Sequence, residues 1–110
     1  MARRPRICGY IELTIKLQQD PEQGVWDAVC LELGTATFGD TIEQATQEIG
    51  EMITLHLNGL EVVGERRRFF REHGIRFHRV KPTRQSKQVR VPFEDDVFVK
   101  PVIQPVLAPA

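Results

Sequence analysis

The hydrophobic pattern changes its period at Gly39-Asp40-Thr41, and this change limits the folds open to the chain. Before this corner, apolar residues alternate with polar ones, as in strands with one buried face. After it, apolar residues recur at the spacing of one helix face: Ile42, Ala45, Ile49, Met52, Ile53 and Leu60. Asp40 with Glu43, or Thr41 with Gln44, forms a capping box. The corner therefore predicts a strand that turns directly into a long helix.

Three strands are predicted before the corner. Residues 7–17 alternate strictly, with the isoleucines and leucines on one side and Glu12, Thr14 and Lys16 on the other. Residues 25–33 are apolar on both parities, as in a strand inside a sheet with both faces covered. A short third strand occupies residues 35–38. Short links between them favour an antiparallel meander.

Two helices and a fourth strand are predicted after the corner. Asn58-Gly59 indicates the end of the long helix. A short helix over residues 64–74 and a strand over residues 75–80 follow. Because a helical crossover usually returns the next strand in parallel, we expect the fourth strand beside and parallel to the first. The predicted class is α+β, with sheet order 3-2-1-4.

The C-terminal segment differs from the rest. We predict one domain over residues 1–80, then a linker and an extended proline-rich tail over residues 81–110, since Pro101, Pro105 and Pro109 exclude a helix. An extended apolar strip cannot bury itself, so we expect it to contact a neighbouring subunit in a homodimer or a dimer of dimers. Wrapping around its own subunit is the alternative. The expected contact residues are Val97, Phe98, Val99, Val102, Ile103, Val106 and Leu107.

Charge and cysteine content exclude several classes of protein. Lys plus Arg and Asp plus Glu number 15 each, so no net charge draws the chain to nucleic acid or a membrane. No apolar run approaches the roughly 18 residues of a membrane span. Charged residues near Met1 lack the apolar stretch of a signal peptide, and Cys8 and Cys30 cannot build a disulfide framework. We therefore expect a cytoplasmic protein.

The run "CLELGTATFGDTIEQATQEIGEMI" resembles the core of the HicB family of bacterial antitoxins. The resemblance covers about residues 10–80, and Cys30 stands where proline is usual in the family. The matching positions are Leu31-Glu32-Leu33-Gly34, Gly39-Asp40-Thr41 and Glu43-Gln44-Ala45, with Gly24-Val25-Trp26 at the family's glycine-aromatic strand entry. The resemblance implies a partially degenerate ribonuclease-H-like fold and the neutralisation of a small HicA-type ribonuclease toxin. An orphan structural module that only self-associates is the competing interpretation.

A nuclease is the enzymatic alternative. A ribonuclease-H site needs several carboxylates converging on two metal ions, and the candidates are Glu12 and Glu48. We expect both on solvent faces, so no catalytic residue, metal or cofactor is predicted. His56, His73 and His78 lack metal-ligand spacing, and the two cysteines are expected to be small core residues.

DNA binding is the remaining possibility. The run "KQVRVPFEDDV" resembles the opening strand of a ribbon-helix-helix module, but Pro101 and Pro105 exclude the helices that must follow. Lys81, Arg84, Lys87 and Arg90 form a basic run that we interpret as a solubilising linker with weak phosphate contact at most. In "ERRRFFRE", arginines on a solvated face and two anchoring phenylalanines are the favoured interpretation.

Overall fold

A computed structural model of the chain describes residues 6–83 and 97–108. The elements follow in this order: β1 (Ile7–Gln19), β2 (Trp26–Cys30), β3 (Thr35–Gly39), α1 (Ile42–Val62), α2 (Arg66–Glu72), β4 (Phe77–His78) and β5 (Val97–Leu107). The α+β class and the order of strands and helices are confirmed. The extended tail forms a fifth strand of the same sheet.

The predicted sheet order is confirmed, but the direction of the fourth strand is wrong. The strands lie in the order β3-β2-β1-β4, and β5 also pairs with β1. β4 pairs antiparallel to β1, with Tyr10 opposite His78 and Ile11 opposite Phe77. The expected parallel strand assumed a single helical crossover. Here the connection contains two helices, with turns at Gly64 and Gly74, so it is not the single crossover on which that expectation rests.

β1 is the central strand and is paired along both edges. β5 runs antiparallel to it from Gln18 opposite Val97 to Ile7 opposite Leu107. Because β5 occupies one edge of β1, β2 and β4 share the other edge. β2 pairs with residues 15–19 and β4 with residues 10–11, which leaves a gap at residues 12–14.

The core lies between the sheet and α1. Alternate residues of β1 point toward the helix and are almost fully buried, as their spacing predicts: Ile11, Leu13, Ile15 and Leu17. They pack against one face of α1, formed by Ala45, Ile49, Ile53 and Leu57, while Met52 is only half-buried. Val106 of β5 is also completely buried.

The corner at Gly39-Asp40-Thr41 is built for close packing. Thr41 caps α1 by accepting the Gln44 N–H at 3.1 Å, and Gln44 Oε1 accepts the Asp40 N–H at 2.9 Å. A Cβ on Gly39 would lie 2.6 Å from the Ala45 nitrogen, so no larger residue fits without a shift. Of the two capping registers, the structure uses the one that begins at Thr41.

The end of α1 lies beyond the expected position. Asn58-Gly59 does not stop the helix, which continues to Val62. Leu60 is half-buried against the core and extends the apolar face by another turn. The residue that ends the helix is Gly64, whose φ of 71° is in the left-handed region that glycine favours. No helix in the described part of the chain is long and apolar enough to span a membrane.

Candidate functional site

A buried polar pair fills the gap in the edge of β1. The Thr14 N–H donates to Glu32 Oε1 at 2.7 Å, and the Thr14 hydroxyl donates to Glu32 Oε2 at 3.0 Å. The Thr14 carbonyl accepts the Leu31 N–H at 3.0 Å. Glu32 therefore takes the place of a strand partner where β2 has already turned away. The sequence analysis assigned Glu32 no such role, although its position between two leucines in an apolar run was a signal.

A second carboxylate lies nearby on β1. Glu12 is 6% exposed, and its Oε2 lies 3.1 Å from Nε2 of His78 on β4. The expectation that Glu12 faces solvent is therefore wrong. β4 brings His78 to the same face of the sheet, since it pairs directly with the strand that carries Glu12.

The two acids considered for a nuclease do not converge. Residues at odd positions of β1 face α1, so Glu12 lies on the opposite face of the sheet. Glu48 belongs to α1 and is half-buried on the helix side. The sheet separates the two carboxylates. Among residues 6–83 and 97–108, no group of three or more His, Cys, Asp or Glu side chains is placed to hold a metal ion.

The other histidines and the cysteines have separate surroundings. His56 Nδ1 lies 3.0 Å from the Thr35 hydroxyl, which ties α1 to β3. His73 stacks on Phe69 with ring centroids 3.8 Å apart, and its Nδ1 lies 2.9 Å from the Phe69 carbonyl. Cys30 is buried as expected, whereas Cys8 is exposed, which corrects its assignment to the core.

The arginine-rich helix α2 behaves as an anchored solvated helix. Phe70 is buried and Phe69 packs against the core, while Arg67, Arg68 and Arg71 are exposed. Arg66 differs from them, since it pairs with Glu61 at 3.0 Å and donates to the Leu107 carbonyl at 2.9 Å. Lys81 is exposed, and Arg84, Lys87 and Arg90 lie outside the described residues.

The solvent face of α1 is acidic along its first three turns. Its exposed or half-buried side chains are Glu43, Gln44, Gln47, Glu48 and Glu51. We call these five residues the acidic face. No lysine or arginine occurs within α1. The acidic face therefore presents three carboxylates without an intervening positive charge on the same helix.

The tail residues separate into two sets by strand alternation. Val97, Val99, Ile103 and Leu107 share one face of β5, and all four are half-buried. The opposite set is graded along the strand, with Phe98 exposed, Val102 half-buried and Val106 fully buried. All seven lie on a strand that pairs with β1 of the same chain, which is the intramolecular arrangement. Their contact with a neighbouring subunit stays a prediction.

Comparison with known proteins supplies no relative: no family model, curated protein or solved structure matches the chain.

Proposed function

We propose that this chain is a non-catalytic HicB-like antitoxin that binds and covers a small HicA-type, mRNA-cleaving toxin. The observation that carries the proposal is the corner between β3 and α1. Three residues that carry the resemblance lie at this corner. Gly39 allows α1 to approach β3 closely, and Thr41 and Gln44 cap the first turn of α1. The meander is thereby joined directly to a helix that lies back over it.

The placement of the carboxylates supports binding rather than catalysis. Glu32 accepts two hydrogen bonds from Thr14, so its oxygens complete the edge of β1. Glu12 is paired with His78, and the sheet separates it from Glu48. In the described residues, Glu12 and Glu32 therefore make contacts that stabilise the sheet. The positions of Glu12 and Glu48 do not favour a shared metal site.

The acidic face of α1 is the surface that we assign to the toxin. A ribonuclease that binds messenger RNA needs positive charge near the phosphates. Three carboxylates on one exposed helix face complement such a surface and accelerate encounter with it. An antitoxin that occupies this basic surface would exclude the RNA. The proposal also places the protein in the cytoplasm, where its messenger RNA-cleaving partner acts.

Co-expression tests the proposed function. A toxin encoded by a neighbouring reading frame should arrest growth when expressed alone, and this protein should restore growth and co-purify with it. The proposal would be contradicted if this protein neither bound any small RNA-binding-like protein encoded next to it nor restored growth in its presence.

A charge reversal tests the assigned surface. Glu51→Lys on the acidic face should slow association with the toxin several-fold at low salt, with a smaller effect at high salt. Glu22→Lys is the matched control, because Glu22 is exposed in the β1–β2 turn and its replacement changes net charge equally. Equal effects of both variants would contradict the use of the acidic face.

The orphan structural module is the second candidate function. The observation that favours it is the outer edge of β3, which pairs with β2 alone among the described strands and offers a second copy of the chain a place to pair. Binding to a toxin and self-association use different surfaces, so the two functions are compatible.

A further inference from the structure

Three strands of the described sheet have an outer edge: β3, β5 and the two-residue β4. The two longer ones, β3 and β5, differ in their ability to accept another strand. On β5, the Leu107 carbonyl points away from β1 toward Arg66, while the Ala108 N–H points inward to the Arg6 carbonyl. Because backbone direction alternates along a strand, Pro101 and Pro105 also present their nitrogens to the outer side. Two N–H donors are therefore missing from this edge, as in edge strands that resist pairing.

The β3 edge carries no such protection. Its residues are Thr35, Ala36, Thr37, Phe38 and Gly39, which include neither proline nor a charged side chain. Within the described part of the chain, β2 is the only strand that pairs with β3. Ala36 is exposed, and Phe38 is 66% exposed although it is a large apolar residue.

The pairing of β1, β2 and β3 shows which residues of β3 point their backbone N–H and C=O groups outward. The Thr14 carbonyl accepts from Leu31, so even-numbered residues of β1 point their backbone groups toward β2. In the register of β1 with β2, Ala28 therefore points its backbone groups away from β1, toward β3. Thr37 lies opposite Ala28, so these two residues form a hydrogen-bonded pair between β2 and β3. Ala36 and Phe38 therefore direct their backbone N–H and C=O groups outward.

We propose that β3 pairs antiparallel with β3 of a second copy of this chain, about a two-fold axis through Thr37. In this register Ala36 of each chain lies opposite Phe38 of the other. These are the residues with outward backbone groups, so the two pairs form four hydrogen bonds across the interface. The two sheets join into one continuous sheet with α1 of each chain on the same face.

The side chains of β3 are self-complementary in this register. Ala36 and Phe38 lie on the face away from α1, so each exposed aromatic ring meets a small residue of the other chain. Thr37 lies opposite Thr37 of the second chain, a pairing favourable between adjacent strands. The register therefore places a small residue opposite a large one on each side of the axis, which fits a two-fold dimer in which both partners use the same surface.

Two substitutions of the same type on opposite edges test the proposal. Phe38→Lys places a charge on the β3 edge, and Phe98→Lys makes the same change at a 52% exposed phenylalanine of β5. Light scattering should give twice the 12.6 kDa chain mass for the unchanged protein and for Phe98→Lys. Phe38→Lys should give a single chain mass at the same concentration. Circular dichroism melting verifies that both variants fold.

The opposite pattern, with dissociation by Phe98→Lys alone, would assign the interface to the tail and overturn the proposal. A monomeric unchanged protein would also overturn it, as would a dimer that withstands Phe38→Lys. Strand capture by a different protein in place of a second copy would appear as a monomer in the purified sample.

Oxidative cross-linking tests the position of the axis. In a Cys8→Ser background, Thr37→Cys should form a disulfide dimer, because directly opposite residues in a non-hydrogen-bonded pair have Cα atoms about 4.5 Å apart. Ala36→Cys is more exposed but should not cross-link, since the diagonal distance between the two copies is about 7–8 Å. Cross-linking at Ala36→Cys and not at Thr37→Cys would contradict the proposed register.

Discussion

Gly39 shows how one missing methyl group sets the distance between β3 and α1. Its φ is not in the left-handed region, so space and not backbone conformation excludes a side chain. We expect Gly39→Ala to lower the free energy of unfolding by about 1–3 kcal/mol, because the Ala45 backbone must move. Urea denaturation measures this loss.

Gly50→Ala is the matched control for that substitution. Gly50 lies inside α1, and a Cβ there would have no heavy atom within 4 Å. The same change should therefore raise the free energy of unfolding by about 0.5–1 kcal/mol through helix propensity. Equal destabilisation by the two variants would contradict the close approach of α1 at Gly39.

Replacing Glu32 should destabilise the sheet at one point, the unpaired stretch of β1 around Thr14. Glu32→Ala leaves the buried Thr14 N–H without its acceptor, at a cost of about 1–3 kcal/mol. Glu32→Gln retains an acceptor oxygen and should cost less. Both values come from denaturant midpoints at constant m-value. A Glu32→Ala protein as stable as the unchanged one would show that the β1 edge needs no such acceptor.

At the scale of elements, α1 holds the sheet through a single apolar face. Ile49 is completely buried, so Ile49→Asp should cost several kcal/mol by placing a charge without compensation in the core. Gln47→Asp introduces the same charge on the exposed side of the helix, four residues from Glu43 and from Glu51, and should cost only about 0.5–1 kcal/mol. Thermal melting compares the two variants. A melting temperature for Ile49→Asp within a degree or two of that of the unchanged protein would show that α1 is not part of the core.

Regular periodicity explains which elements were predictable. β1 and α1 bury residues at constant spacing, and both were predicted with the correct buried face. Glu12 and Thr14 were assigned to solvent because alternation alone describes one strand, whereas their burial depends on what lies against that face. The predicted direction of β4 was wrong because the connection to it contains a second helix between turns at Gly64 and Gly74, and hydrophobic periodicity does not orient such a connection.

At the scale of the whole molecule, the two prolines of β5 should limit assembly. Replacing both, as Pro101→Val with Pro105→Val, restores the missing N–H donors on the outer edge. We expect this double variant to form species larger than a dimer, because both edges then accept strands. Light scattering across a concentration series measures this, and an unchanged mass would show that the prolines do not protect the edge.

The candidate surfaces were less predictable than the fold. The acidic composition of one side of α1 is visible in the sequence, and the structure keeps it exposed. The tail was expected to be extended and apolar, and it is. Its pairing with β1 could not be derived, because the sequence does not show that β2 and β4 share one edge and leave the other vacant.

The pairing of Ile7 with Leu107 has a consequence for synthesis. The central strand is made before the other described elements, yet it lacks the partner along one edge until β5 has been made. Contacts between such distant residues of a 110-residue chain slow folding, since a long loop must close before they form. The domain therefore completes its sheet after translation of the tail, and a nascent chain arrested before Val97 would expose β1 to proteolysis and chaperones.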